Sequence, residues 1–204
     1  MQSVAAQTAT AGILGDVANK DDIYRIALQV GGVLGGLDVL INNASSLGPV
    51  PLRLLADTDC EDLELALATN LLGPFRLTKA LLGALAASAR ENGGALVLNV
   101  SSDAAIHPYA GWGAYGTSKS ALHHLSGIWD EELRDARIRV LSVDPGDMDT
   151  PLHALAVPDA DTAALKRPEQ AASEIASRIV AELHALRTAS RMAPSDATAL
   201  AVAP

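Results

Sequence analysis

Four short apolar runs, at residues 12–17, 37–41, Ala95–Val100 and Ile138–Val143, are each followed by a loop and then by a long stretch that leads to the next run. This alternation constrains the fold more than any other feature of the chain. Strands that alternate with helices build βαβ units, and βαβ units build a parallel sheet. After the first run, Ile23, Ile26, Ala27, Val30 and Leu34 recur at helical spacing until Gly35-Gly36. Asp59 predicts the N-cap of a helix that starts near Cys60 and runs toward Leu72. Gly73-Pro74 is expected to kink or break that helix before it resumes to about Arg90. Residues 112–135 predict another helix, and Pro168 suits the first turn of a last one reaching about Leu186. The strands are apolar almost throughout, as expected where helices cover both faces. The fold class is therefore α/β, a doubly wound parallel sheet. The chain reads as a single domain over 1–204, without repeat or linker, and with a weakly structured, Ala-rich tail at 188–204.

Charge and composition narrow the function. The 204 residues carry 15 basic and 24 acidic side chains, a net −9. Such a balance opposes binding to a nucleic-acid backbone or an anionic membrane surface. No Lys or Arg precedes Lys20, so a signal peptide would lack its positive region. No apolar run approaches the roughly 18 residues of a membrane helix. A cytoplasmic protein is the expectation. The single cysteine, Cys60, excludes an intrachain disulfide and a Cys-rich zinc site. His123-His124 point in different directions on one helix, so no metal site is expected.

In open parallel sheets ligands bind beyond the carboxyl ends of the strands. Asp16, residues 42–45, Ser101, Ser102 and residues 145–150 stand there. The sharpest chemical signal lies on the following helix. Tyr115 and Lys119 are four residues apart and share one helical face. An ammonium about 4 Å from a phenol favours the phenolate by roughly 4 kcal/mol at an intermediate dielectric. A Tyr tuned in this way passes a proton to or from a carbonyl or alcohol oxygen. Ser102, thirteen residues before Tyr115, is placed to hold the same oxygen. Asn70 sits mid-helix, where Asn is a mediocre former, and suggests a polar role. His107, Tyr109 and Trp112 are expected beside the substrate, with packing at the helix start an equal alternative for Trp112. The acidic residues Asp147, Asp149, Asp159 and Asp161 mark either a solvated loop or a lid.

Asn42-Asn43-Ala44, Asn70, Asn99-Val100-Ser101-Ser102, Tyr115-x-x-x-Lys119 and Asp144-Pro145-Gly146 with Thr150 follow one another in an order and spacing that resembles the short-chain dehydrogenases/reductases. The resemblance covers about residues 12 to 187 and implies a Rossmann-like sheet and reversible hydride transfer between NAD or NADP and a small carbonyl or alcohol. It implies Tyr115 as general acid/base, Lys119 as the residue that tunes it and holds the nicotinamide ribose, Ser102 as the orienter of the substrate carbonyl, and Asn70 as the holder of a relay water. Asp16 and Val17 would lie against the adenine. Asn43, Ala44 and Ser45 would line the adenosine side, with Val100 also at the cofactor. Pro145, Gly146, Met148 and Thr150 would hold the carboxamide and a neighbouring phosphate. A homodimer or homotetramer is implied through the helices near 59–90 and 112–135. The Pro-Gly-Asp-Met-Asp-Thr run and the later Lys-Arg-Pro-Glu look like small carbonyl reductases, with some similarity to sepiapterin-reductase-like members.

Two departures stand out. Ser45 replaces the family's usual Gly after Asn-Asn-Ala. The family's opening strand and Gly-rich turn, Thr-Gly-x-x-x-Gly-x-Gly, have no counterpart before Asp16. The sheet is thus expected to be incomplete at the N-terminus, with the first βαβ segment of roughly 30 residues missing. That turn is where a pyrophosphate meets a helix N-terminus. A start site set too far downstream, a shortened non-catalytic member kept as an oligomerisation or interaction module, and an active enzyme that compensates by assembling remain alternatives.

Overall fold

Strand β2 (Ala95–Val100) lies between β1 (Val39–Asn42) and β3 (Ile138–Val143) in an all-parallel sheet ordered β1-β2-β3. The computed structural model describes residues 10–192. Every residue of β2 is buried, because helices cover both of its faces. Alternation along the strand sorts its side chains. Ala95 and Val97 join Leu40, Val140 and the helix residues Ile23, Leu77, Leu81 and Leu85 in one core. Leu96, Leu98 and Val100 face the other way, with Leu141 and Val143, against Ile175, Ile179 and Leu183. The first core is built by α1 (Lys20–Leu34) and α3 (Gly73–Asn92), the second by α6 (Pro168–Met192).

Strands β2 and β3 match the predicted bounds, and the doubly wound arrangement holds. The predicted strand at 12–17 does not form. Among the described residues this stretch pairs with no strand, and Leu14 is 77% exposed. Local side chains claim the backbone instead. The Asp16 N–H donates to Asp22, the Ala18 N–H to Asp16, and the Asp21 N–H to Asn19, the N-cap of α1. Such short-range bonds compete directly with a ladder.

Gly73-Pro74 does not end its helix. The chain runs from α2 (Cys60–Leu67) through a π-turn (Ala68–Leu72) straight into α3, with Pro74 at its second residue. Gly73 is required by a neighbour. A Cβ there would stand 2.9 Å from the Val17 carbonyl oxygen. Gly73→Ala is therefore expected to lower stability by about 1–2 kcal/mol, read as a lower urea midpoint, because backbone must move to make room.

The predicted tail begins too early. No Gly or Pro lies between Pro168 and Pro194, and α6 continues to Met192. Its last turns are tied down by Arg187 to Asp38 at 3.2 Å and by Arg137 to Ser190 at 2.6 Å. The rest of the tail, 193–204, lies outside the described residues. The stretch 147–167 also holds a helix, α5 (Pro151–Ala156), and its ends are joined by a Met148–Lys166 bridge.

A buried polar ladder fixes the strands below the site. The Asn42 amide donates to Asn99 at 2.7 Å and to Thr78 at 3.3 Å, and the Asn99 amide donates to Ser126 at 2.9 Å. It joins α3, β1 and β2 to α4 (Gly113–Glu132), the helix that carries Tyr115 and Lys119.

Candidate active site

Val100 and Val143 end β2 and β3 side by side. The loops that leave them, the loop after β1, the first turns of α4 and α5 together wall a cleft of about 400 Å3. Tyr115, Lys119 and Ser102 all line it, as do Asn43, Ala44 and Ser45 from the loop after β1. Val100, Pro145, Gly146, Met148 and Thr150 line it as well.

Lys119 is only 2% exposed. Its Nζ donates to the Val100 carbonyl at 2.8 Å, and stands 5.5 Å from the centre of the Tyr115 ring. Burial pushes its pKa down to about 8. Tyr115 packs against Leu47, Ala104 and Trp112, with the Trp112 ring edge-on at 5.8 Å. Its pKa moves in the direction opposite to the sequence expectation. Burial raises it; the Ser102 and Ser45 hydroxyls pull it down, and the Asp144 and Asp103 carboxylates push it further up. A phenol in an apolar pocket resists ionising even with an ammonium nearby, because losing its proton places a new charge where water is excluded.

Asn70 does not line the cleft; it is fully buried behind it. The π-turn aims its amide at the loop after β1. Its Oδ1 accepts from the Ser46 N–H at 2.8 Å and the Ser45 hydroxyl at 3.2 Å. Its Nδ2 donates to the Ser46 carbonyl at 2.7 Å and to Ser118 at 2.8 Å, and Ser118 donates to the Tyr115 carbonyl at 2.7 Å. One side chain thus ties Ser45 to the turn that carries Tyr115. Asn70→Ala leaves these buried groups unmatched and is expected to cost about 2 kcal/mol of stability in chemical denaturation.

Asp16 and Val17 are not brought to the cleft. Val17 lines a smaller recess of about 80 Å3 that shares Asn43 and Ala44 with it. Asp16 spends its carboxylate on the Ala18 N–H. Trp112 lines the cleft, whereas His107 and Tyr109 do not. Sequence reasoning missed Leu47, Asp103 and three residues of α5: Leu152, His153 and Ala156. The signal for α5 was present. Thr150 accepts from the His153 N–H as N-cap, and Pro151 follows at the first helical position.

A family model described as "short chain dehydrogenase" matches residues 1–161. The chain belongs to the short-chain dehydrogenase family. It is 29% identical over 182 residues to a short-chain dehydrogenase of Pyricularia oryzae, covering 89% of this chain and 60% of that one. It is 34% identical over 129 residues to the sepiapterin reductase of Xenopus tropicalis, covering 63% of this chain and 47% of the relative. The NADPH-bound carbonyl reductase from chicken fatty liver shares the fold, with a TM-score of 0.76 at 23% identity, covering 87% of this chain and 73% of that one. The chain spans about half to three-fifths of the length of the curated relatives it matches.

The cleft fits one end of a nicotinamide cofactor. The Lys119 ammonium has three protons, and Val100 takes one. The others are available to ribose hydroxyls. Ser101 is 5% exposed, lines the cleft and holds an oxygen with no partner. Gly146, at a φ of 77°, turns the chain beside it. The same walls do not fit a pyrophosphate: Asp103, Asp144 and Asp147 line the cleft, and among the described residues Lys119 is the only Lys or Arg that lines it.

Proposed function

We propose that the chain is an NAD(P)-dependent oxidoreductase domain that acts on a small carbonyl or alcohol. The observation that carries this reading is the convergence of Tyr115, a buried Lys119 and Ser102 on one cleft at the carboxyl ends of β2 and β3. When bound, the nicotinamide supplies or accepts the hydride. The protein's part is position and the proton. Tyr115 gives its phenolic proton to the carbonyl oxygen in reduction and takes it back in oxidation. Lys119 holds the ribose, and Asn70 keeps Ser45 and the Tyr115 turn in register. Trp112, Leu47, Leu152 and Ala156 offer an apolar wall to the substrate, which supports a carbonyl of modest size.

Partners beyond a small molecule follow the family resemblance. Leu65, Leu72 and Ile128 are exposed on α2, the π-turn and α4, which supports a homodimer or homotetramer built on these helices. Among the described residues, no helix is long and apolar enough to cross a membrane.

Titration of the purified 204-residue chain with NADH and NADPH, followed by nicotinamide fluorescence, tests the reading. Saturable binding at micromolar concentration is expected for at least one of them. A folded chain that binds neither would overturn it in favour of a non-catalytic interaction module.

A further inference from the structure

Lys166 does not line the cleft, yet it grips the loop that does. Its main chain holds the loop after β3 twice. The Lys166 N–H donates to the Asp147 carbonyl at 2.9 Å, and the Asp149 N–H donates to the Lys166 carbonyl at 3.0 Å. Its side chain adds a charged tie. Nζ donates to the Pro145 carbonyl at 3.0 Å and to Glu174 Oε2 at 2.7 Å. Glu174 lies on α6, where the Gln170 amide donates to its other oxygen at 3.1 Å. The same helix packs on the sheet through Ile175, Ile179 and Leu183. Lys166 therefore joins the loop to a helix that is itself anchored.

The point of attachment is what gives this tie a function. Pro145 and Gly146 both line the cleft, and one rigid peptide plane joins them. That plane is held at both ends: its C=O accepts from Lys166, and its N–H donates to Asp144 Oδ1 at 2.9 Å. Gly146 has a φ of 77°, and a Cβ there would stand 3.6 Å from Lys166 Nζ, so the ammonium lies directly against the turn. Glycine resists rotation of the adjoining plane less than any other residue. A plane held only at Asp144 would be free to turn, and the residues that follow it would turn with it. We propose that Lys166 is a positioning residue: by holding the Pro145–Gly146 peptide plane to α6, it fixes the 145–150 wall of the cleft before a ligand arrives. A wall ordered in advance spares the ligand the cost of ordering it. The inference rests on the reading of this wall as the nicotinamide side of an oxidoreductase.

The first test is amide hydrogen exchange of the protein without ligand, read residue by residue by NMR. Lys166→Met keeps both main-chain bonds and removes only the ammonium. The Gly146 and Asp149 amides are expected to exchange about tenfold faster, the worth of one hydrogen bond from a charged donor, while the amides of β2 stay within about twofold. Lys166→Arg keeps a cation that donates and is expected to restore both amides to within about threefold of the parent. The Lys166 side chain is 28% exposed, so folding is not at stake in either variant. Unchanged exchange in Lys166→Met would overturn the proposal, because the main-chain bonds alone would then hold the wall. So would a Lys166→Arg protein that exchanges like Lys166→Met, or faster exchange that spreads into β2 and marks a general loss of stability. The second readout is carbonyl reduction. Lys166→Met is expected to raise KM for NADH or NADPH about tenfold and to leave kcat within about threefold, since Tyr115, Ser102 and Lys119 are untouched. An unchanged KM in a protein whose loop has loosened would overturn the positioning role. A parent protein without turnover would count against the oxidoreductase reading alone, and the exchange rates would still decide the role of Lys166.

Discussion

Replacing Tyr115 by Phe is expected to lower kcat for carbonyl reduction by about 10²–10⁴-fold, the usual contribution of a positioned proton donor. The structure makes this substitution a clean one. The ring keeps its contacts with Leu47, Ala104 and Trp112. The hydroxyls that lose a neighbour keep other partners, Ser45 at Asn70 and Ser102 at Asp103. Stability should therefore change by less than about 1 kcal/mol. Lys119 keeps its bond to Val100, so cofactor affinity should stay within a few-fold. Steady-state kinetics, the NADPH titration and urea unfolding on the same protein separate the three effects. Turnover that survives in Tyr115→Phe would remove the phenol from the mechanism. The direction of the Tyr115 shift adds a second expectation. Reduction uses the protonated phenol, which its raised pKa preserves well beyond neutral pH, whereas oxidation uses the phenolate. The rate of alcohol oxidation should thus climb with pH through the alkaline range while reduction holds level there.

Much of the cleft could be read from the chain because it follows from strand ends. Once Ala95–Val100 and Ile138–Val143 are recognised, the residues just beyond them have to stand at one edge of the sheet, and Tyr115 with Lys119 follows one helix later. What could not be read depended on competition between neighbours. At 12–17 the apolar pattern is that of a strand, but among the described residues no strand pairs with it, and the Asp16 N–H donates to Asp22 instead. At 150–156 a helix starts at Pro151 behind the Thr150 N-cap, in a stretch with little apolar periodicity to announce it. The pKa of Tyr115 was misjudged for a third reason. Spacing shows that an ammonium is near but not how much water is excluded, and burial proves the larger effect. The role of Asn99 as a rung between Asn42 and Ser126 was invisible for the same kind of reason: its partners lie 57 and 27 residues away.

Lys119→Met is expected to make the protein more stable and less able to act. The Lys119 pKa of about 8 lies below its ordinary value of 10.5. Below pH 8 the folded and unfolded chains both carry the proton, and the folded chain bears the full cost of burying the charge. A depression of this size corresponds to about 3 kcal/mol. Met has a similar length and no charge, so it removes that cost. It also leaves the buried Val100 carbonyl without its donor, which returns about 1 kcal/mol of the gain. At pH 7 the variant should be about 2 kcal/mol more stable in urea unfolding. The difference has a definite pH dependence. Between pH 8 and 10.5 the unfolded chain binds more protons at Lys119 than the folded chain does, so the parent protein gains stability as pH rises through this window. The advantage of Lys119→Met should shrink across it and turn into a deficit of about 1 kcal/mol at its upper end, where the parent no longer buries a charge but its neutral amine still donates to Val100. A variant that is destabilised at pH 7, or an advantage that does not depend on pH, would show that the ammonium is not held at a cost. Nothing in the packing demands a cation here, since Val100 is its one hydrogen-bond partner among the described residues. A buried ammonium with one of its three protons paired, beside a phenol in a cleft, is stability given up for the site it serves.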